Sequence, residues 1–116
     1  MKRAVAKEYL HLDQRLKQIA LYTERGVESY AEPLVQDACD ALLMRIGEAA
    51  NRLSRLDEPD PASVPWHRVV SMRNWLIHGY DVIDRELVWQ TISVALPTLN
   101  KDLAERISVA HRVVGT

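Results

Sequence analysis

The stretch Trp66-His67-Arg68-Val69-Val70-Ser71-Met72-Arg73-Asn74-Trp75-Leu76-Ile77-His78-Gly79-Tyr80 decides how this chain is read. Trp66, Val69, Met72 and Leu76 recur every three or four residues, the spacing of one packed side of an α-helix. Pro65, just ahead, suits a first helical position, where its missing N–H costs nothing, and Ser63 or Val64 leads into it. Gly79 is the residue type most often found just past a helix end, because positive φ is cheap without a Cβ. These signals predict a helix over 66–78 that stops at His78.

That helix end gathers reactive side chains. Arg73 carries a permanent charge in a planar fork suited to phosphate, His78 titrates nearest to neutral pH, and Tyr80 adds a phenol. Residues five apart on a continuous helix differ by about 500°, or roughly 140° round the axis. Arg73 and His78 therefore converge only if the helix ends near His78. There the negative end of the helix dipole favours the imidazolium while Arg73 opposes it, so the net direction stays open. The pairing points to phosphodiester chemistry, and the competing reading is an arginine held in a salt bridge beside a histidine that caps the helix.

Outward from this segment, periodicity speaks for helix almost everywhere. Val5, Tyr9, Leu12, Leu16 and Ile19 form one amphipathic stripe, a break is expected around 26–31, and Val35, Ala38, Leu42, Ile46, Ala49 and Leu53 form a second stripe over about 33–54. Pro33 fits the first turn of that second helix. Residues 57–63, Asp-Glu-Pro-Asp-Pro-Ala-Ser, read as a loop, since prolines remove donors and the acids favour turns. After a short connection, Asp84 is a plausible cap for a last helix carrying Val88, Ile92, Ala95, Leu99, Leu103 and Ile107. Pro97 is expected to kink or interrupt it, and 113–116 to fray. Strand signals are poor and Phe is absent, so the fold class is all-α, an antiparallel four-helix bundle with a Pro-kinked last helix, residues 1–116 forming one helical domain.

Composition limits what such a domain can do. The chain has 116 residues, 47% of them hydrophobic and 27% charged, as in ordinary globular proteins. A net charge of -1 argues against a long basic track coating nucleic acid, though not against a local cationic pocket. Arg45, Arg52, Arg55, Arg68, Arg73 and Arg85 lie in the central segments, some as solvated surface and some as candidates to face the motif. Glu48 and Asn51, one turn apart, either approach the motif or face water. No apolar run reaches the roughly 20 residues needed to cross a bilayer, and charge breaks the opening residues before a signal core forms, so a cytoplasmic location is expected. Cys39 stands alone among small apolar residues and reads as a buried hydrophobe, and His11, His67, His78 and His111 lack metal-ligand spacing, so no metal is expected.

Arg73 with polar Asn74, three apolar residues, His78, Gly79 and Tyr80 resembles the Arg-x4-His-x-Tyr signature of the HepT family of HEPN-domain toxins. The likeness extends to Arg45-Ile46-Gly47-Glu48-Ala49-Ala50-Asn51-Arg52-Leu53, Val64-Pro65-Trp66, Leu87-Val88-Trp89 and Leu96-Pro97-Thr98-Leu99, and covers about residues 8 to 108. The resemblance implies the same all-α fold and a metal-independent endoribonuclease, needing no cofactor, in which the RNA 2′-hydroxyl attacks its own phosphodiester. It implies His78 as general acid or base, Arg73 on the phosphate, and Asn74 in support, orienting the imidazole or the substrate. It also implies a homodimer that pairs two motif helices, to which Trp66, Trp75 and Trp89 would contribute apolar surface unless they serve the core. Its remaining implication is a toxin–antitoxin pair of type VII, in which a nucleotidyltransferase antitoxin of the MntA kind places AMP on Tyr80. The alternative is a non-catalytic HEPN module that only binds such a nucleotidyltransferase.

Overall fold

The stripe Val5, Tyr9, Leu12, Leu16 and Ile19 becomes the buried side of helix α1 (Arg3–Tyr22). The computed structural model describes residues 1–56, 64, 66–78 and 83–116, without the side chains at positions 75, 77 and 78. The loop expected over 57–63, Pro65 as a first helical residue, the turn at Gly79, Tyr80, and the connection through Asp81 and Val82 lie outside the described residues. After α1 come a short helix α2 (Val27–Tyr30), α3 (Pro33–Leu56), α4 (Trp66–His78), α5 (Arg85–Gln90), a π-helical turn (Thr91–Ala95) and α6 (Leu96–Val114). No strand occurs among the described residues, and the architecture is an all-α bundle.

Helix α3 is the centre of the assembly, packing against α1 on one side and α4 on the other, while α6 covers α1. Tyr9, Leu12, Leu16 and Ile19 from α1, Leu43, Ile46 and Leu53 from α3, and Leu103 from α6 are fully buried. Each such aliphatic side chain stabilises the fold by about 1.5–3 kcal/mol relative to exposure. Trp66, at the start of α4, tilts against Tyr9 with ring centroids 6.2 Å apart, and the Arg106 guanidinium lies 5.7 Å from the Tyr9 ring centre. Across the α1–α3 seam, Arg52 Nε donates to Glu8 Oε1 at 2.8 Å.

The break expected around 26–31 contains the extra helix α2, entered through Gly26 at φ 68, a left-handed value that favours glycine. The second long helix begins at Pro33 as expected and runs to Leu56 rather than 54. Asp84 does cap α5, its Oδ1 accepting from the amides of Glu86 at 3.1 Å and Leu87 at 3.2 Å. The expected frayed end is instead ordered: α6 continues to Val114, Gly115 turns left-handed at φ 89, and the amides of Gly115 and Thr116 both donate to the His111 carbonyl at 2.9 Å.

Pro97 interrupts the last helix through a change of pitch. It has no N–H for the carbonyl four residues back, and the turn just before it, Thr91–Ala95, is wound as a π-helix, one residue wider than an α-turn. Hydroxyls follow the same stretch, with Thr91 donating to the Leu87 carbonyl at 3.0 Å and Ser93 to that of Trp89 at 2.8 Å. The extra residue shifts the phase of the stripe. Ala95, expected inside, is exposed, and Leu96 is buried in its place.

Helix α5 is fastened to the core by Arg85, whose fork meets Asp40 of α3 in two parallel bonds of 2.9 and 2.8 Å and also donates to the Tyr30 hydroxyl at 3.1 Å. Tyr30 in turn stacks on Trp89 at 5.4 Å. Trp66 and Trp89 are thus both used within the chain. Next to this pair, Cys39 is a free, fully buried thiol, and burial pushes its pKa up to about 11, with Asp40 raising it further and Arg85 opposing.

Two measurements check this frame. Asp40→Ala leaves the Arg85 fork with the Tyr30 hydroxyl but without its carboxylate and is expected to cost about 1–2 kcal/mol in urea unfolding, reduced from the fully buried case because Arg85 is partly solvated. Lys17→Ala, which removes the exposed pair with Asp13, is expected to cost less than about 0.5 kcal/mol. A pKa raised above the usual thiol range keeps Cys39 protonated at pH 8, so it is expected to resist maleimide in the native state and react fully once urea unfolds the chain.

Candidate active site

The site begins with a missing side chain on α3. A Cβ added to Gly47 would lie 2.8 Å from Cγ and 3.2 Å from Cδ of Arg73, and closer still to its Cβ. Only glycine lets α3 and α4 approach this closely, and the methylene stem of Arg73 lies directly across the gap. Further along α3, Asn51 and Ser54 line a groove with Val70, Ser71, Trp66 and His67 of α4, so the two helices run antiparallel from the Gly47–Arg73 contact.

Arg73 is half-buried. Its Nε is sequestered from solvent with no hydrogen-bond partner, and Nη2 donates to Asn74 Oδ1 at 3.1 Å. Among the described residues no carboxylate pairs with Arg73, whereas Arg25, Arg52 and Arg85 each meet one. A guanidinium cannot shed its charge, and the sequestered Nε leaves that of Arg73 with an unmet hydrogen-bond donor among the described residues. The competing reading of Arg73 as half of a salt bridge has no support among the described residues.

His78 is the last described residue of α4, and the expected stop at Gly79 lies outside the described residues. The imidazole and its approach to Arg73, together with Tyr80, lie outside the described residues. Asn74 is exposed and holds the guanidinium through its carbonyl oxygen. Of the other arginines, Arg55 donates to Asn51 Oδ1 at 3.2 Å, and Arg68 borders an apolar groove of about 410 Å³ between α4 and the π-turn, lined by Val69, Met72, Val94, Leu96 and Leu99. Glu48 is half-buried beside Gly47.

Reading residue types alone overlooked Gly47 as a working part of the site. Its signal was a lone glycine in the middle of a helical stripe, a position that costs about 1 kcal/mol relative to alanine and therefore marks close packing.

The chain is an all-α bundle whose fourth helix carries an arginine with no carboxylate partner among the described residues and reaches as far as a histidine. The HepT-like family, described as Ribonuclease HepT-like, matches residues 12–106, and the chain belongs to it. "Putative RNase TTE0752" of Caldanaerobacter subterraneus subsp. tengcongensis is 32% identical over 74 residues, 64% of this chain and 66% of that protein. "Probable ribonuclease HepT" of Thermococcus cleftensis is 32% identical over 54 residues, 47% of this chain and 49% of that protein. "Gamma-glutamylcyclotransferase and putative RNase MJ0434" of Methanocaldococcus jannaschii is 28% identical over 100 residues, 84% of this chain and 45% of that protein. The chain thus spans between 45% and 66% of the length of these relatives. No solved structure matches it.

Gly47→Ala tests the close approach. Alanine gains about 1 kcal/mol in helix propensity, but the new methyl meets the near end of Arg73, which cannot swing aside, and overpacking of this kind costs about 1–3 kcal/mol. The expected outcome is a lower urea midpoint, and a raised midpoint would show that the two helices do not touch there.

Proposed function

We propose that this protein is a metal-independent endoribonuclease, the toxin of a type VII-like toxin–antitoxin pair acting in the cytoplasm. In this reaction the ribose 2′-hydroxyl attacks the adjacent phosphorus and gives its proton to a base. The P–O5′ bond breaks, the leaving oxygen takes a proton from an acid, and a 2′,3′-cyclic phosphate remains. His78 is assigned to proton transfer and Arg73 to the phosphate oxygens, where its fork offsets the charge that builds during attack. Asn74 positions the guanidinium through its bond to Nη2.

The observation that carries this reading is Arg73 itself, half-buried, with its Nε unpartnered and no carboxylate beside it among the described residues, on the helix that carries His78. The names of the relatives point the same way. A module that only binds another protein would leave the cost of seating this guanidinium without a return.

The reaction needs both an acid and a base, and one chain brings one copy of His78. A homodimer that pairs two α4 helices supplies the second copy, and symmetric pairing is the commonest oligomer geometry. Silencing is assigned to Tyr80, two residues past His78, whose hydroxyl would take AMP from ATP on a nucleotidyltransferase antitoxin. Anionic phosphate beside Arg73 would occupy the site and repel RNA.

Unmodified protein is expected to cleave RNA in EDTA and leave 2′,3′-cyclic phosphate ends. His78→Ala is expected to lose about 10²–10⁴-fold in rate, the usual worth of a positioned acid or base, and Arg73→Ala a comparable factor, both with unchanged helicity. Full activity in both variants would remove the site. Incubation with the antitoxin and ATP is expected to raise the intact mass by adenylyl units, and Tyr80→Phe to abolish the increase.

A further inference from the structure

We infer that the polar groove between α3 and α4 is a binding site for an RNA nucleotide flanking the scissile phosphate. The inference rests on the ribonuclease reading above and adds where the rest of the strand goes. The groove encloses about 520 Å³ and is lined by Asn51 and Ser54 of α3 and by Trp66, His67, Val70 and Ser71 of α4, with Val64 beside them. That size falls within the roughly 300–1,000 Å³ of small-ligand sites.

Helical register joins the groove to the proposed catalytic end. Positions 67, 71, 74 and 78 are spaced by four, three and four residues, so they share one face of α4. Asn74 on that face holds Arg73. Position 67 lies about 9 Å along the axis from position 73 at the usual rise per residue. Arg73 itself lies about 120° round the axis from position 67, and its Nη2 comes to this face through the bond to Asn74, so a strand whose phosphate sits at that Nη2 and which follows the face enters the groove with its next nucleotides.

The hydrogen-bonding groups suit a nucleotide. Ser54 Oγ donates to the Asn51 carbonyl and Ser71 Oγ to the His67 carbonyl, both at 2.8 Å, so each hydroxyl spends its proton inside its own helix and offers only acceptor lone pairs to the groove. Acceptors of this kind fit base amino groups and ribose hydroxyls. Asn51 Oδ1 takes a bond from Arg55 at 3.2 Å, which leaves the amide NH2 as a donor and places a guanidinium at the rim for a backbone phosphate. His67 is exposed and presents a ring on which a base can stack. Among the described residues the lining of the groove carries no acidic side chain. The apolar groove on the other side of α4 offers no comparable set.

The test separates binding from cleavage. In the full chain carrying His78→Ala, the affinity of a fluorescein-labelled RNA tetranucleotide is measured by anisotropy, with helicity checked by circular dichroism. Adding His67→Ala or Ser71→Leu, both at exposed positions, is expected to raise Kd at least about tenfold, or about 1.4 kcal/mol, within the range for loss of one stacked base. Lys101→Ala on α6 is the control and is expected to leave Kd unchanged. If the parent binds RNA and both groove variants bind within twofold of it, the groove is not used, and the ribonuclease reading survives. If the parent does not bind RNA at all, both readings fall together.

Discussion

The contact between Gly47 and the stem of Arg73 is the constraint on which the site depends. Helix α3 is held from behind by α1, which α6 covers in turn, so its position is set by the largest part of the core. Because Gly47 has no side chain, α4 can press against that fixed helix until the methylenes of Arg73 fill the space. The stem is then immobilised by packing, Nε is withdrawn from water, and Nη2 is tied to Asn74. An arginine normally spends much rotamer entropy on gripping an anion, and here the fold has removed most of that freedom beforehand.

The other arginines show why this one is distinctive. Arg52 joins α1 to α3 through Glu8, Arg85 fastens α5 to α3 through Asp40 and Tyr30, and Arg25 meets Glu32. These pairs satisfy their charges within the chain. What sets Arg73 apart among the described arginines is a side-chain nitrogen that is buried without a hydrogen-bond partner. In the proposed reading the protein grips one point on a strand and uses the antiparallel α3–α4 groove for the neighbouring contacts, which differs from coating nucleic acid along a basic surface.

Much of the bundle was legible because its stripes are long and regular. Val5 through Ile19, Leu42 through Leu53, and Val69, Met72 and Leu76 are buried as their spacing required, and α4 spans the segment expected for it. The errors have local causes. Ala95 was placed inside because an unbroken α-period was assumed, and the π-turn ahead of Pro97 moves the phase to Leu96. Helix α2 is too short to show a period, and the end at Gly115 was read as frayed because a left-handed cap is invisible to apolar patterning. In the candidate site, residue chemistry and resemblance singled out Arg73 and Asn74, which the structure joins by a hydrogen bond, whereas the groove of Asn51, Ser54, His67 and Ser71 left no mark in the sequence, since it exists only once two distant segments lie antiparallel.

The most direct measurement of the central claim is the Arg73 Nε–H signal in a ¹H–¹⁵N correlation spectrum, assigned by its loss in Arg73→Lys, recorded before and after titration with dimethyl phosphate. A seated guanidinium whose Nε is shielded from solvent predicts a signal that exchanges slowly with water and shifts as the phosphodiester binds. A signal that exchanges as fast as those of surface arginines and does not move with the ligand would contradict the account.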